Sequence, residues 1–442
     1  MDTARFQFIA DALHGTGGFR PPATGASESN SYLVMYPRES AEKFSRRNQV
    51  AWYANDMASA CSRFAGYLSR RRPMRTLDNP LLVAMTDDCD WRGNHLDVFW
   101  GSFTIEAKAR GVMLLLVDMP RDLGASRAEQ MEARAFPYLT MIPPELVSDY
   151  GVNERGLLDR VEVRDIEDPD RYHGWDTEGW WTRKGEEIEE QGQHPLGVCP
   201  VLAFAESEFP HPGEFAQIAD LSKRLFNMRS ELDEILRGQT FSILAYQIPT
   251  DQVGIMDIAE VAAEIGTSNM LMHSGTTPGF IAPPDGPAAT YLAVIAQLED
   301  KIRRIGHVVE APDQAESGIA LSIRFQQLNS SLSHWASRME DLERRVWWLA
   351  SLWLGIQTEV DVSWSDDYSI SDRKTELDVL ASMQMTGFSE EALREKRAQI
   401  LTDEFSTMSD DALAVLIEME REGAHERADA AVMDDVGLEA VA

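Results

Sequence analysis

From Leu321 onward, apolar residues recur in steps of four, three, four and three: Leu321, Phe325, Leu328, Leu332, Trp335, Met339, Leu342, Val346, Leu349 and Trp353. That spacing keeps one narrow face of a helix buried along its whole length. No Pro lies between Ser317 and Gly355, and no Gly between Gly318 and Gly355, so the pattern predicts one uninterrupted helix over 317–355. At about 1.5 Å per residue the rod is roughly 55 Å long. An ordinary globular helix has about 11–12 residues. A stripe of this kind is first of all packing, or a coiled-coil seam, and only second a functional box.

The remaining patterns are shorter. Residues 1–39 read as an irregular segment, because Gly15-Thr-Gly-Gly-Phe-Arg-Pro-Pro and Gly25-Ala-Ser-Glu-Ser are loop-forming. Ser40 to Arg72 reads as helical, closed by Arg70-Arg71-Arg72-Pro73. A second helix covers Asn94 to Arg110 and stops at Gly111. Val112–Asp118, Tyr138–Ile142, Arg160–Ile166, Gly179–Gly185 and Val198–Phe204 read as short strands. Residues 75–210 therefore form an α+β region. A helix from residue 213 aligns Phe215, Ile218, Leu221, Leu225, Met228, Leu232 and Ile235, with Gly238 as its stop. Residues 241–286 are apolar pieces broken by Gly and Pro, a small β-containing insertion. A third helix aligns Leu292, Ile295, Leu298, Ile302 and Ile305, and an acidic loop follows. After the rod, Glu359–Trp364 alternates as a strand. Helices resume from Ser371, with Gly387 as a stop and Ser389 and Ser409 as caps.

Composition narrows the function classes. The 442 residues carry 41 basic and 73 acidic side chains, a formal charge of −32. That excess argues against a protein that wraps nucleic acid by neutralising phosphates, though not against a surface past which DNA slides. No apolar run reaches the roughly 18 residues of a membrane span. Met1 to Arg20 lacks a basic segment followed by an apolar block, so no secretion signal is expected. Cys61, Cys89 and Cys199 are odd in number and far apart, which fits a reducing compartment and gives no zinc spacing.

The search for chemistry is mostly negative. Asp87-Asp88-Cys89-Asp90, with His95 and Asp97, could hold a metal, but an acidic turn with Asp90 capping the next helix explains it equally well. Gly15-Thr-Gly-Gly18 lacks the Gly-Lys-Ser/Thr of a phosphate loop, and no Gly-x-Ser-x-Gly elbow occurs. Trp347, Trp348 and Trp353 at one end of the rod read as packing anchors. No catalytic residue, cofactor or metal is expected.

Four stretches, taken in order, resemble the portal (connector) proteins of tailed double-stranded DNA bacteriophages. The first is Gly111-Val-Met-Leu-Leu-Leu-Val-Asp-Met-Pro120. The second is Gly197-Val-Cys-Pro-Val-Leu-Ala-Phe204 leading into Gly213–Leu221. The third is Ile302-Arg-Arg-Ile-Gly-His-Val-Val309, an acidic loop, then Ser317-Gly-Ile-Ala-Leu321. The fourth is Val360-Asp-Val-Ser-Trp-Ser-Asp366 followed by Asp372-Arg-Lys-Thr-Glu-Leu and Gly387-Phe-Ser. The resemblance covers the chain from Ala60 on.

The resemblance implies a helix-rich α+β chain divided into a wing (40–212), a first stem helix (213–240), a clip (241–286), a second stem helix (287–308), a tunnel loop (309–317), the long wing helix with a returning strand (318–370) and a helical crown (371–442). It implies a ring, usually of twelve subunits, at one capsid vertex, through which DNA is packaged and ejected. Its partners would be further copies of itself, double-stranded DNA passing without sequence readout, the terminase large subunit, a head–tail adaptor and the major capsid protein. It would sit in the virion, and in host cytoplasm during assembly, without a membrane. Lys301, Arg303 and Arg304, with Glu310, Asp313, Gln314 and Glu316 on the loop, would line the DNA channel. Leu321, Phe325, Leu328, Leu332, Trp335, Met339 and Leu342 would pack between subunits. The rival readings are another oligomeric coiled-coil virion or tail component, and a metal-dependent hydrolase using Asp87, Asp88, Asp90 and His95.

Overall fold

The computed structural model describes residues 1–20, 31–120, 135–240, 243–247, 270–273, 279–281, 286–308, 318–357, 360–368, 373–404 and 415–419. The chain is α+β, with helices and several separate sheets.

The N-terminal residues depart from the sequence reading. Thr3–His14 is a helix, α1, which buries Phe6, Ile9 and Leu13. Those residues step by three and four, a helical signal too short to outweigh the Gly-Pro-Ser stretch that follows. The expected helix over 40–72 is two helices, α2 (Ala41–Val50) and α3 (Asp56–Leu68). Ala51 turns extended (φ −63°, ψ 135°), and Asn55 restarts the helix by accepting from the Ala58 amide at 3.0 Å. Then come β1 (Met74–Thr76), α4 (Pro80–Asp87) and α5 (Leu96–Arg110).

Gly111 ends α5 in the left-handed region (φ 78°) and turns the chain directly into β2 (Val112–Asp118). β2 is buried from Val112 to Val117, which is why it reads as an unbroken apolar run. It is the centre of a three-stranded sheet, antiparallel to β3 (Tyr138–Ile142) and β9 (Val201–Ala205). Between β3 and β9 the chain makes a five-stranded antiparallel meander in the order β4 (Val147–Val152), β5 (Leu158–Arg164), β6 (Arg171–Trp175), β7 (Gly179–Lys184), β8 (Glu187–Gln193). Only β4 and β5 supply buried apolar side chains from this sheet: Val147, Leu158, Val161 and Val163. Farther out, Arg183 lies 4.0 Å over the Tyr172 ring and pairs with Glu162 at 2.6 Å, so cross-strand polar pairs do the work of a second layer.

Two long helices then bracket a small sheet. α6 (Ala216–Thr240) passes through Gly238, which was expected to stop it; a helical Gly costs only about 1 kcal/mol and flanking turns carry the helix past it. The sheet has β10 (Ile243–Gln247) at its centre, parallel to β11 (Met270–His273) and antiparallel to β12 (Gly279–Ile281). α7 (Gly286–Ile305) returns alongside α6.

The long rod is α8 (Gly318–Leu354), one helix as its spacing predicts. It lies across β2, β9 and α3. β13 (Asp361–Ser363) then pairs antiparallel with β1. α9 (Arg373–Met385) and α10 (Glu390–Glu404) follow, Ser389 accepts from the Ala392 amide as a cap, and residues 415–419 are again helical. Among the described residues no helix is long and apolar enough to cross a membrane.

Candidate functional site

α6 and α7 are antiparallel. Arg229 pairs with Glu299 at 2.7 Å, and Tyr291 donates to Glu231 at 2.7 Å. α7 buries Ile295, Leu298 and Ile302. Its outer face shows Ala289, Leu292, Ala293, Ala296 and Gln297, and then the cations. Lys301, Arg303 and Arg304 are all exposed in the last turns, and Arg304 pairs with Asp300 one turn back at 2.5 Å. So the structure gathers the three predicted cations at one end of the helix pair. Glu310, Asp313, Gln314 and Glu316 lie outside the described residues.

That end is fixed to the α+β region through a joint the sequence did not announce. Lys108 of α5 is 1% exposed, forms an ion pair with Glu206, and has its ammonium 4.4 Å from the Phe215 ring, 4.5 Å from Phe64 and 5.0 Å from Trp335. Glu206 also accepts from the Glu214 amide at 3.1 Å. The Glu206 amide donates to Gly111 O at 2.7 Å, and the Gly213 amide donates to Arg110 O at 2.9 Å. A Cβ on Gly111 would collide with the Gly213 backbone. The start of α6 is therefore stitched to the α5–β2 turn. At the same end, just past α7, His307 sits in the left-handed region (φ 50°), 3.9 Å from the Glu214 carboxylate. The neighbouring His307 ring holds that carboxyl below its ordinary pKa.

The rod stripe corrects an expectation. Leu328, Leu332, Trp335, Met339 and Leu342 are buried inside this one chain, each 4% exposed or less, and so have no surface left for a neighbouring subunit. Trp335 packs on the Phe64 and Phe204 rings with centroids 5.6 and 4.8 Å away. Phe325 is half-buried, and the Leu321 side chain lies outside the described residues. The stripe is a core face because β2, β9 and α3 already cover it. Beside it Glu343 is fully buried and accepts from Arg75 (2.5 Å), Trp347 Nε1 (3.1 Å) and Trp364 Nε1 (2.9 Å). Arg75 also pairs with Asp97 at 2.7 Å, which ties β1, α5 and α8 together.

The acidic turn has local uses for its carboxylates. Asp88 accepts from the Gly93 amide at 2.7 Å, and Asp90 accepts from the Arg92 amide at 3.0 Å and from Asn94 Nδ2 at 2.7 Å. The cap of α5 is His95, whose Nδ1 accepts from the Asp97 amide, and not Asp90 as expected. Among the described residues no group of three or more His, Cys, Asp or Glu could hold a metal ion.

No family model matches the chain, and no curated protein does. Solved structures of gene transfer agent particles contain similar chains. One from the virion of the native particle is 12% identical, with a TM-score of 0.40 over 89% of this chain and 98% of that one. One from the neck of the native particle, computed with C12 symmetry, is 12% identical, with a TM-score of 0.41 over 83% and 94%. One from the neck of the empty particle, computed with C6 symmetry, is 12% identical, with a TM-score of 0.43 over 89% and 98%.

Proposed function

We propose that this chain is a portal-type ring subunit: many copies close around a channel at one vertex of a phage-type capsid, and DNA passes through it during packaging and ejection. The single observation that carries the reading is the antiparallel pair α6 and α7. It brackets a three-stranded tip sheet and is anchored at its other end to an α+β body, with Lys301, Arg303 and Arg304 exposed there. The sequence resemblance assigns that same arrangement to stem and clip. The charge of −32 supports it too, because a channel must not grip a polyanion. A few exposed cations give weak contacts to phosphate that are blind to sequence. The coiled-coil rival loses its main support, since the stripe it needs is covered within one chain.

In this role the chain performs no catalysis. The terminase large subunit would supply the work of packaging, the tip sheet would carry the head–tail adaptor, and the α+β body would meet the major capsid protein. Ring closure would be heterologous, with unlike faces meeting around a cyclic axis, twelve copies being the number the resemblance implies.

Negative-stain microscopy and native mass of the purified chain test the reading, the expected result being an annulus with a central hole. A stable monomer at high concentration would overturn it. In an infected cell, the double charge reversal Arg303→Glu, Arg304→Glu should leave rings intact and lower the amount of packaged DNA. Normal packaging by that variant would remove these residues from the channel.

A further inference from the structure

β9 is an outer strand of its sheet: β2 lies on one side, and among the described residues no strand lies on the other. The amides of Glu206 and Val117 donate to Gly111 O and Pro200 O, and bonded pairs alternate along an antiparallel ladder. Val201, Ala203 and Ala205 are therefore the residues that turn N–H and C=O toward the open edge. Arg338 of α8 agrees with that direction, since it donates to Ala205 O at 3.2 Å. Its Nε is buried and has no acceptor. The rod runs along the strand: Arg338 meets Ala205, while Trp353 reaches Val117 O at 2.8 Å, level with Pro200. Arg345 stands two turns past Arg338 on the same flank and so comes level with the middle of β9. It is half-buried, makes no hydrogen bond or ion pair among the described residues, and feels the charge of Asp341 one turn back. Burial pulls its pKa below the ordinary arginine value.

A cation desolvated by its own chain, with no carboxylate against it, destabilises that chain. An open strand edge accepts an extended backbone, and two guanidiniums beside it favour one with acidic side chains. The chain itself carries such a strand. β8 is the outer strand of the meander, and among the described residues it pairs only with β7. All of Glu187–Gln193 except Gly192 is exposed, and the strand holds Glu187, Glu189 and Glu190 with no Lys or Arg. Glu189 pairs with Arg171 at 2.6 Å, whereas Glu187 and the preceding Glu186 stand exposed at the start of the strand. Like charges keep an edge from pairing with its own kind. The acidic edge of β8 and the arginine-flanked edge of β9 are each closed to a copy of themselves and open to the other.

We propose that β8 of one copy of this chain adds to the open edge of β9 in the next, with its carboxylates on Arg338 and Arg345. The inference rests on the portal reading in one respect: copies must close into a ring through unlike faces, as this contact joins them. It names the two faces, both on the α+β body and away from the stem.

The test mixes two full-length chains. One carries Glu187→Cys, Gln191→Cys or Gln193→Cys and the other Arg345→Cys; Cys61, Cys89 and Cys199 are buried and stay silent. A short bis-maleimide should join the two copies from at least one of the β8 positions, and only in the mixture. Arg345→Met supplies the second readout. It removes an unpaired cation, so the urea midpoint of dissociated chains should hold or rise, while the concentration at which rings dissociate rises about tenfold. An Arg345 that serves only its own chain would lower the midpoint instead. Rings that give no cross-link from any β8 position, or that dissociate as before with Arg345→Met, overturn the proposal. A cross-link confined to single chains carrying both changes also overturns it, by assigning the edge to the chain's own β8. Chains that form no rings sink the portal reading and this contact with it, whereas rings without the cross-link sink only the contact.

Discussion

Lys108 reaches Glu206 from beneath the rings of Phe64, Phe215 and Trp335, and this buried pair joins α5, the end of β9 and the start of α6. Both groups have left water, so neither is well placed without the other. Lys108→Met strands a carboxylate beside an apolar cage and is expected to cost about 3–5 kcal/mol. Glu206→Leu strands the ammonium and should cost a similar amount. Combined with Lys108→Met, it should cost much less than the sum of the two single changes, because residues in direct contact couple strongly. Urea unfolding of the three variants decides this; strict additivity would mean that the pair does not act as a unit.

Gly111 and Gly156 both have positive φ, 78° and 75°, but only Gly111 has a neighbour in the way. An added Cβ at Gly156 meets nothing within 4 Å, so Gly156→Ala carries only the backbone cost of the left-handed region, roughly 1–2 kcal/mol. At Gly111 the Cβ would drive into the Gly213 backbone and push apart the α5–β2 turn and the entry to α6. Gly111→Ala should therefore unfold at a far lower urea midpoint than Gly156→Ala, or fail to accumulate in soluble form. Equal midpoints would show that the two segments do not need close contact.

Much of this architecture was legible because periodicity survives burial. The rod, β2, and the helices carrying Ile218–Leu232 and Ile295–Ile302 all declare themselves by apolar spacing. The charged parts of the joint did not. Lys108 lies in Glu-Ala-Lys-Ala-Arg, which reads as a solvated last turn, and nothing local says that an aromatic cage is assembled over it by Phe64, Phe215 and Trp335. Arg47 and Glu39 are equally silent in sequence, yet their side chains are each 1% exposed. Of the stripe residues expected to pack between subunits, Leu328, Leu332, Trp335, Met339 and Leu342 are covered within one chain. Spacing reports that a face is covered, whereas what covers it is a long-range fact about β2, β9 and α3. β8 escaped notice because Glu187–Gln193 is exposed on almost every residue and has no apolar alternation to read.

The Arg47–Glu39 pair makes the attachment of the N-terminal arm depend on pH. Arg47 donates to Glu39 at 2.8 and 2.9 Å, to Val34 O at 2.6 Å and to Ser230 of α6 at 3.3 Å, and its guanidinium lies 4.2 Å from the Tyr36 ring centroid. The hydrogen bond from Arg47 holds the Glu39 carboxyl below its ordinary pKa. A carboxylate depressed in the folded state adds stability that is fully present above its unfolded pKa, about 4.3, and is lost as pH falls through the folded value. Protease cleavage within residues 31–55 should thus be slow at pH 7 and rise as the solution is acidified below about 4.3. Arg47→Met should cleave readily at pH 7 and lose most of that pH dependence. A wild-type rate that does not change with acidification would remove Glu39 as the titrating group.

Leu332 separates the two uses of the α8 stripe most cleanly. It is 1% exposed within a single chain, so truncation leaves a cavity in that chain's own core whatever the assembly state. Leu332→Ala is expected to cost about 2–5 kcal/mol in unfolding. Were the stripe an intersubunit seam, the same change would weaken assembly and leave the unfolding of dissociated chains untouched. Leu292 on α7 is the natural control: it is 55% exposed, and an isolated surface change of that kind stays within about 0.5 kcal/mol. Unfolding of dissociated chains, measured beside sedimentation of the assembled protein, should show Leu332→Ala lowering chain stability and Leu292→Ala leaving it in place. The reverse order would return the stripe to the interface and leave β2 and β9 without their cover.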